Sequence, residues 1–304
     1  MPYVTGTANN QAELLSAIQG ACTAHGWTLS GSVLHAGDCH IQLTAGTNSI
    51  KVSAGTGIDG SNALTGQAPA SAYLGSPYTP EPLSYPCTYN IHVFAAEVFV
   101  LVRFGIDAWV WAAWGQSPVQ GLPGTGVWFT ASTTRDQGYN QLSWWASPPY
   151  FGRCYNYSLL QGTGPFWIGE LTALGTQSFV HHGLDGGSWT TAMDASGNQY
   201  AGTAARAMSG AGYLMAAYQP NLWNGEAALV PIQPYITRGS NKVSIIADLA
   251  NARYVRLDNL NVEDTITLGT DVWKVYPFYR RDSANRNGIA SSSGTLGWAV
   301  RYDG

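Results

Sequence analysis

The chain is poor in charge. Only 11% of its 304 residues are Asp, Glu, Lys or Arg, where a typical soluble domain has about 25%. Lysine is nearly missing, with only Lys51, Lys242 and Lys274 present. A free monomer of this size normally uses more charge to stay soluble and to keep sheet edges from pairing. The shortage points to a surface covered by neighbouring subunits. The formal net charge is −4, which argues against a broad basic surface for nucleic acid. The balance is uneven. Residues 1–234 hold 5 basic and 11 acidic side chains, and residues 235–304 hold 9 and 7. The C-terminal segment either faces an acidic partner or carries ordinary strand-face charge.

Long apolar runs are missing too. The most apolar run, Val93 to Val102, is ten residues long, contains Glu97 and ends at Arg103. A membrane helix needs about 20, so no membrane insertion is expected. The start, Met1-Pro2-Tyr3-Val4, has neither the basic n-region nor the apolar h-region of a secretory signal. A soluble chain, not secreted by the usual route, is the expectation. Cys22, Cys39, Cys87 and Cys154 are widely spaced and form no CxxC pair. They suggest buried free thiols, not a disulfide framework or zinc ribbon. No nucleophile elbow, Walker A loop, HExxH or Rossmann fingerprint is present. No cofactor and no metal are expected.

What is abundant is aromatic and glycine: 12 Trp, 17 Tyr and 36 Gly. One segment reads as a helix. Asn10 is a good N-cap with Glu13 three residues on, and Leu14, Leu15, Ile18, Ala21 and Cys22 form one apolar stripe that ends before Gly26. The period then becomes two. Val33/His35, Ile41/Leu43 and Ile50/Val52 alternate between turn residues, giving a three-stranded meander. Residues 1–60 thus read as a small α+β docking module. Residues 61–90 carry Pro69, Pro77, Pro80, Pro82 and Pro86 among Gly, Ser and Ala, and read as an extended linker. From residue 91 the chain reads as β. Val98, Val100 and Val102 alternate with Phe99 and Leu101, and a turn leads into Ala108-Trp109-Val110-Trp111. This predicts a hairpin buried on both faces. Further strands are predicted at Val127–Ser132, Leu142–Trp145, Phe166–Leu171, Ala228–Thr237, Val243–Leu249, Arg253–Leu257, Thr265–Leu268, Val272–Arg280 and Leu296–Tyr302. The fold class is mainly β, with residues 91–304 as a β-sandwich or jelly-roll-like body.

Several constellations could carry chemistry. His35, Cys39 and His40 lie close together, but H-x3-C-H matches no standard zinc spacing. His181-His182-Gly183-Leu184-Asp185-Gly186 could set an imidazole beside a carboxylate, although neighbours on a strand point to opposite faces. Asp282, Asn285 and Asn287 lack the oxygen spacing of a calcium loop. Trp109, Trp111, Trp114, Trp128, Trp144 and Trp145 are candidate core residues, interface anchors or platforms for sugar rings. A glycan-degrading enzyme would need two carboxylates about 5–10 Å apart. Glu97, Asp107, Asp136, Glu170 and Asp185 are the candidates, and no pair stands out.

The opening Met1-Pro2-Tyr3-Val4-Thr5-Gly6-Thr7-Ala8-Asn9, the following helix and Gly26-Trp27 resemble virion structural proteins of tailed bacteriophages. So do Gly124-Thr125-Gly126-Val127-Trp128, Val272-Trp273-Lys274-Val275-Tyr276-Pro277-Phe278-Tyr279-Arg280 and Gly294-Thr295-Leu296-Gly297-Trp298-Ala299-Val300-Arg301-Tyr302. The resemblance implies a non-enzymatic virion component at the tail tip or baseplate, or a collar protein at the neck, assembled in the host cytoplasm. Its implied partners are copies of itself and other virion proteins, with host surface glycan as the alternative ligand.

Overall fold

A computed structural model describes residues 2–47, 49–75, 83–106, 108–132, 178–191, 206–207, 226–238, 242–277 and 296–303. The chain is mainly β, with one α-helix among the described residues. In order, the elements are β1 (Tyr3–Ala8), α1 (Gln11–Ala24), β2 (Thr28–Ser30), β3 (Val33–Ala36), β4 (Cys39–Ala45), β5 (Ser49–Gly55), β6 (Gly57–Ile58), β7 (Leu64–Thr65) and β8 (Ala72–Gly75). Then come β9 (Cys87–Val93), β10 (Glu97–Phe104), β11 (Ala108–Gln116), β12 (Val127–Ala131), β13 (Ser178–His181), β14 (Trp189–Thr191), β15 (Arg206–Ala207) and β16 (Val230–Pro231). The last are β17 (Pro234–Arg238), β18 (Lys242–Ile245), β19 (Ala252–Arg256), β20 (Thr265–Leu268), β21 (Asp271–Pro277) and β22 (Leu296–Arg301).

The helix forms where its capping signal lies. The Asn10 side chain accepts from the Glu13 N–H at 2.9 Å, and the Glu13 carboxylate accepts from the Asn9 N–H at 2.8 Å. One otherwise unpaired first-turn donor and the N–H of the residue before the cap are thereby satisfied. Gly26 follows with φ of +98°, a left-handed conformation that glycine adopts without strain and that ends the helix. Leu14, Ile18, Ala21 and Cys22 are its buried face.

A seven-stranded antiparallel sheet, in the order β1-β9-β10-β11-β12-β13-β14, is the centre of the molecule. Alternation decides what each face carries. One face presents Val98, Val100, Val102, Val110, Ala112, Trp114, Val127 and Phe129. It packs on α1 and on the sheet β2-β3-β4-β5-β8, through Leu14, Ile18, Ile41, Leu43, Ile50 and Val52. The other face presents Phe99, Leu101, Trp109, Trp111 and Trp128. It packs on Tyr254, Tyr276, Trp298 and Val300 of the sheet β16-β19-β22-β21-β20, called here the outer sheet. The expected doubly buried hairpin is β10–β11, and it is the middle of a three-layer arrangement.

Two expectations change. The segment 61–90, read as a linker, contains β7 and β8 and the start of β9. Ala72 and Leu74 are buried on alternate positions, and β8 pairs with β5 from Ser49↔Gly75 to Val52↔Ala72. Burial of that short alternation outweighs the proline signal around it. Residues 3–8, for which the sequence pattern predicts no strand, pair with β9 from Tyr3↔His92 to Ala8↔Cys87. The start of the chain is therefore an edge of the central sheet. The strands expected at Leu142–Trp145 and Phe166–Leu171 lie outside the described residues. Among the described residues no helix is long and apolar enough to cross a membrane.

Candidate functional site

The polar groups buried between the layers are unevenly placed. On strand β9, Asn90 and His92 alternate with Ile91 and Val93, so the polar pair faces the outer sheet while the apolar pair faces the helix side. Glu97 opens β10 after a tight turn closed by a 2.7 Å bond from the Phe94 N–H to the Glu97 carbonyl. It shares the face of Phe99 by alternation. Asn90, His92 and Glu97 are each 3% exposed or less.

Glu97 binds the segment leading into β19. Its carboxylate accepts from the Ala250 N–H at 3.0 Å, the Asn251 N–H at 2.9 Å and the Asn251 side-chain amide at 2.8 Å. Burial pushes the carboxyl up to about 7, against the pull of those bonds and with help from nearby Asp248. Gly115 lies directly across from Glu97. A Cβ there would come within 2.5 Å of the Ala96 carbonyl oxygen and 2.8 Å of the Glu97 Cγ, so only glycine leaves room for this side chain.

His92 binds the far strands of the outer sheet. Its Nε2 lies 2.8 Å from the Tyr276 hydroxyl, and the ring donates to the Arg301 main-chain carbonyl. A neutral imidazole satisfies both contacts. Burial pushes His92 down to about 3, and the Lys274 cation adds to the shift. Around it stand the rings of Tyr3, Tyr276 and Tyr302, with centroids at 5.0, 5.7 and 6.2 Å. Lys274 caps the group. Its Nζ donates to the Tyr3 hydroxyl at 3.2 Å and lies 4.7 Å from the Tyr3 ring centroid and 5.2 Å from that of Tyr302. Its carboxylate neighbour is Glu263 at 3.9 Å. The Tyr3 hydroxyl in turn donates to Asn90 Oδ1.

The two halves are continuous. The Arg301 N–H donates to the Asn251 carbonyl at 3.0 Å, which links Glu97 through Asn251 and Arg301 to His92. One polar seam therefore ties the central sheet to the outer sheet.

No family model matches the chain, and no curated protein matches it.

Most residues singled out in the sequence lie elsewhere. Trp109, Trp111, Trp114 and Trp128 are each 2% exposed or less. They are core residues, Trp114 on the helix side and the other three on the outer side, and the interface and glycan assignments fail for all four. Trp144 and Trp145 lie outside the described residues. His181 Nδ1 accepts from the Thr125 N–H at 3.0 Å, and His182 Nδ1 accepts from the Leu184 N–H at 2.9 Å. Asp185 forms its ion pair with Arg238. His35 and His40 stack as cross-strand partners at 5.2 Å, while Cys39 turns into the core. Among the described residues no group of three or more His, Cys, Asp or Glu could hold a metal ion. Cys22, Cys39 and Cys87 are free and buried, and burial pushes the Cys22 thiol up to about 12. Of the carboxylate candidates, Glu97 and Asp185 are described, and Asp107, Asp136 and Glu170 are not. Cys154 and the Asp282–Asn287 loop also lie outside the described residues.

The sequence reading missed His92, Asn90, Tyr3 and Tyr302 as a group. One local signal was available. Asn90 and His92 occupy alternate positions of a strand whose other positions are apolar, and Glu97 interrupts an otherwise apolar run.

Proposed function

We propose that the chain is a non-enzymatic structural subunit of a tailed-bacteriophage particle, seated at the tail tip or baseplate. It acts by assembly with copies of itself and with other virion proteins. The observation that carries this reading is the shortage of charge, 14 basic and 18 acidic side chains in 304 residues. Part of that small number is spent internally, as with buried Glu97 and the Arg256–Asp258 pair at 2.8 Å. A surface left with so little charge is stabilised by neighbours that cover it and its sheet edges. Ile106, 86% exposed between β10 and β11, and Leu268, 61% exposed at the end of β20, are apolar points that such contacts would bury.

In this reading residues 91–304 supply most of a sandwich-type, jelly-roll-like body that β1 extends at one edge, and the outward surface of residues 1–60 docks the chain to its neighbours. The glycan-binding alternative drew on exposed indoles, and four of its six candidates are interior. Electron microscopy of the parent particle with gold-labelled antibody to this chain tests the proposal. Label at the distal tail end is the expected result. Label at the head–tail junction would make the chain a collar protein, and particles without label would overturn the virion reading.

A further inference from the structure

The polar seam contains two buried ionisable groups of opposite kind, one carboxyl and one imidazole, joined through Asn251 and Arg301. Both belong to the central sheet, and both hold segments of the outer sheet. If the outer sheet lifts away, both meet water and return to ordinary behaviour.

We propose that Glu97 and His92 form a proton-compensating catch: docking of the outer sheet takes up a proton at Glu97 and gives one up at His92. The sheet then stays docked through mild acid and is released in stronger acid.

The signs follow from linkage. Docked Glu97, held up at about 7 against an ordinary 4.5, keeps a proton that the undocked group sheds. Alone, it makes docking weaken as pH rises from 4.5 to 7. Docked His92, held down at about 3 against an ordinary 6.5, refuses a proton that the undocked ring accepts. Alone, it makes docking weaken as pH falls from 6.5 toward 3. Between pH 4.5 and 6.5 the two effects run in opposite directions, and the net proton exchange on docking is zero. Below 4.5 only the His92 effect is left. The ionisable groups facing Glu97 are Asp248 and Arg253. Those facing His92 are Tyr3, Lys274, Tyr276 and Tyr302, with Glu263 behind Lys274 and the Arg301–Asp271 pair beside the seam. Substituting only Glu97 or His92 leaves all of these in place, so their contributions are common to every protein compared.

Hydrogen exchange of the full chain across pH 3.5–7.5, expressed as protection factors, tests the catch. Peptides covering 248–256, 271–277 and 296–302 report the outer sheet, and those covering α1, β4 and β5 report the inner layer. The wild type should hold its outer-sheet protection level from pH 6.5 to 4.5 and lose it below, while the inner layer stays protected. Glu97→Gln should begin losing outer-sheet protection near pH 6.5 and be roughly 100-fold less protected at 4.5 than at 6.5, one decade per pH unit. His92→Gln should show no acid loss and should gain protection as pH falls from 7 to 4.5. Two results would overturn the proposal. One is loss of protection by outer and inner peptides together. The other is variants that share the wild-type profile. If either variant does not fold, the wild type still decides, because a sloping outer-sheet profile between pH 4.5 and 6.5 is incompatible with compensation.

Discussion

On the helix side of the central sheet, Val98, Val100, Val102 and Val110 meet Leu14, Ile18, Ile41 and Val52, and the contact is mostly aliphatic, with Trp114 and Phe129 set among the branched side chains. On the outer side, Phe99, Trp109, Trp111 and Trp128 meet Tyr254, Tyr276 and Trp298, with Asn90, His92 and Glu97 buried at the margin. The same strands build both faces. The difference lies in how each interface is specified. Aliphatic packing is non-directional and tolerates volume-conserving exchange. Buried hydrogen bonds between partners fixed in place accept one arrangement and penalise others. The helix-side layer is thus held mainly by contact area, and the outer layer by area together with a directional lock.

Substitutions on each face can break this contrast. Trp111→Ala removes the largest volume and should destabilise the protein by roughly 3–5 kcal/mol, read by chemical denaturation. If the outer layer is separately held, its peptides should lose exchange protection before those of α1. Glu97→Ala removes the acceptor of three part-buried N–H donors, and a cost of about 2 kcal/mol at neutral pH is expected. A neutral effect would mean that the directional lock contributes nothing. Val100→Ala, on the aliphatic face, should cost about 2 kcal/mol and leave the outer-sheet exchange pattern unchanged. Lys274→Met removes the cation above Tyr3 and Tyr302 and should cost about 1 kcal/mol, measured as a small drop in Tm.

Local structure was largely legible in the sequence. The Asn10 cap, the helix stripe and the alternation in β10 and β11 are short-range signals, and β20 appears at the residues expected. Strands β1 and β8 were hidden for a physical reason. Tyr3–Ala8 is half polar, and Ala72–Gly75 sits among prolines, so each becomes a strand only because a partner strand already exists. The seam was further out of reach. His92 meets Tyr276 184 residues away, and Glu97 meets Asn251 154 residues away. Nothing in the spacing of His92 or Glu97 signals such a partner. The tryptophans were visible as a set, and alternation alone puts Trp114 on the face opposite Trp109 and Trp111; which of the two faces meets the helix side was decided only by the tertiary packing.

Trp111 of the central sheet and Trp298 of the outer sheet stand with ring centroids 5.6 Å apart and planes inclined at 66°. Two indoles this close and so inclined share their electronic excitation. Their coupled transition has a circular-dichroism sign and intensity that depend on mutual orientation, and it vanishes with distance. Because the pair spans the two layers, the unlabelled protein contains its own optical ruler for the gap between them.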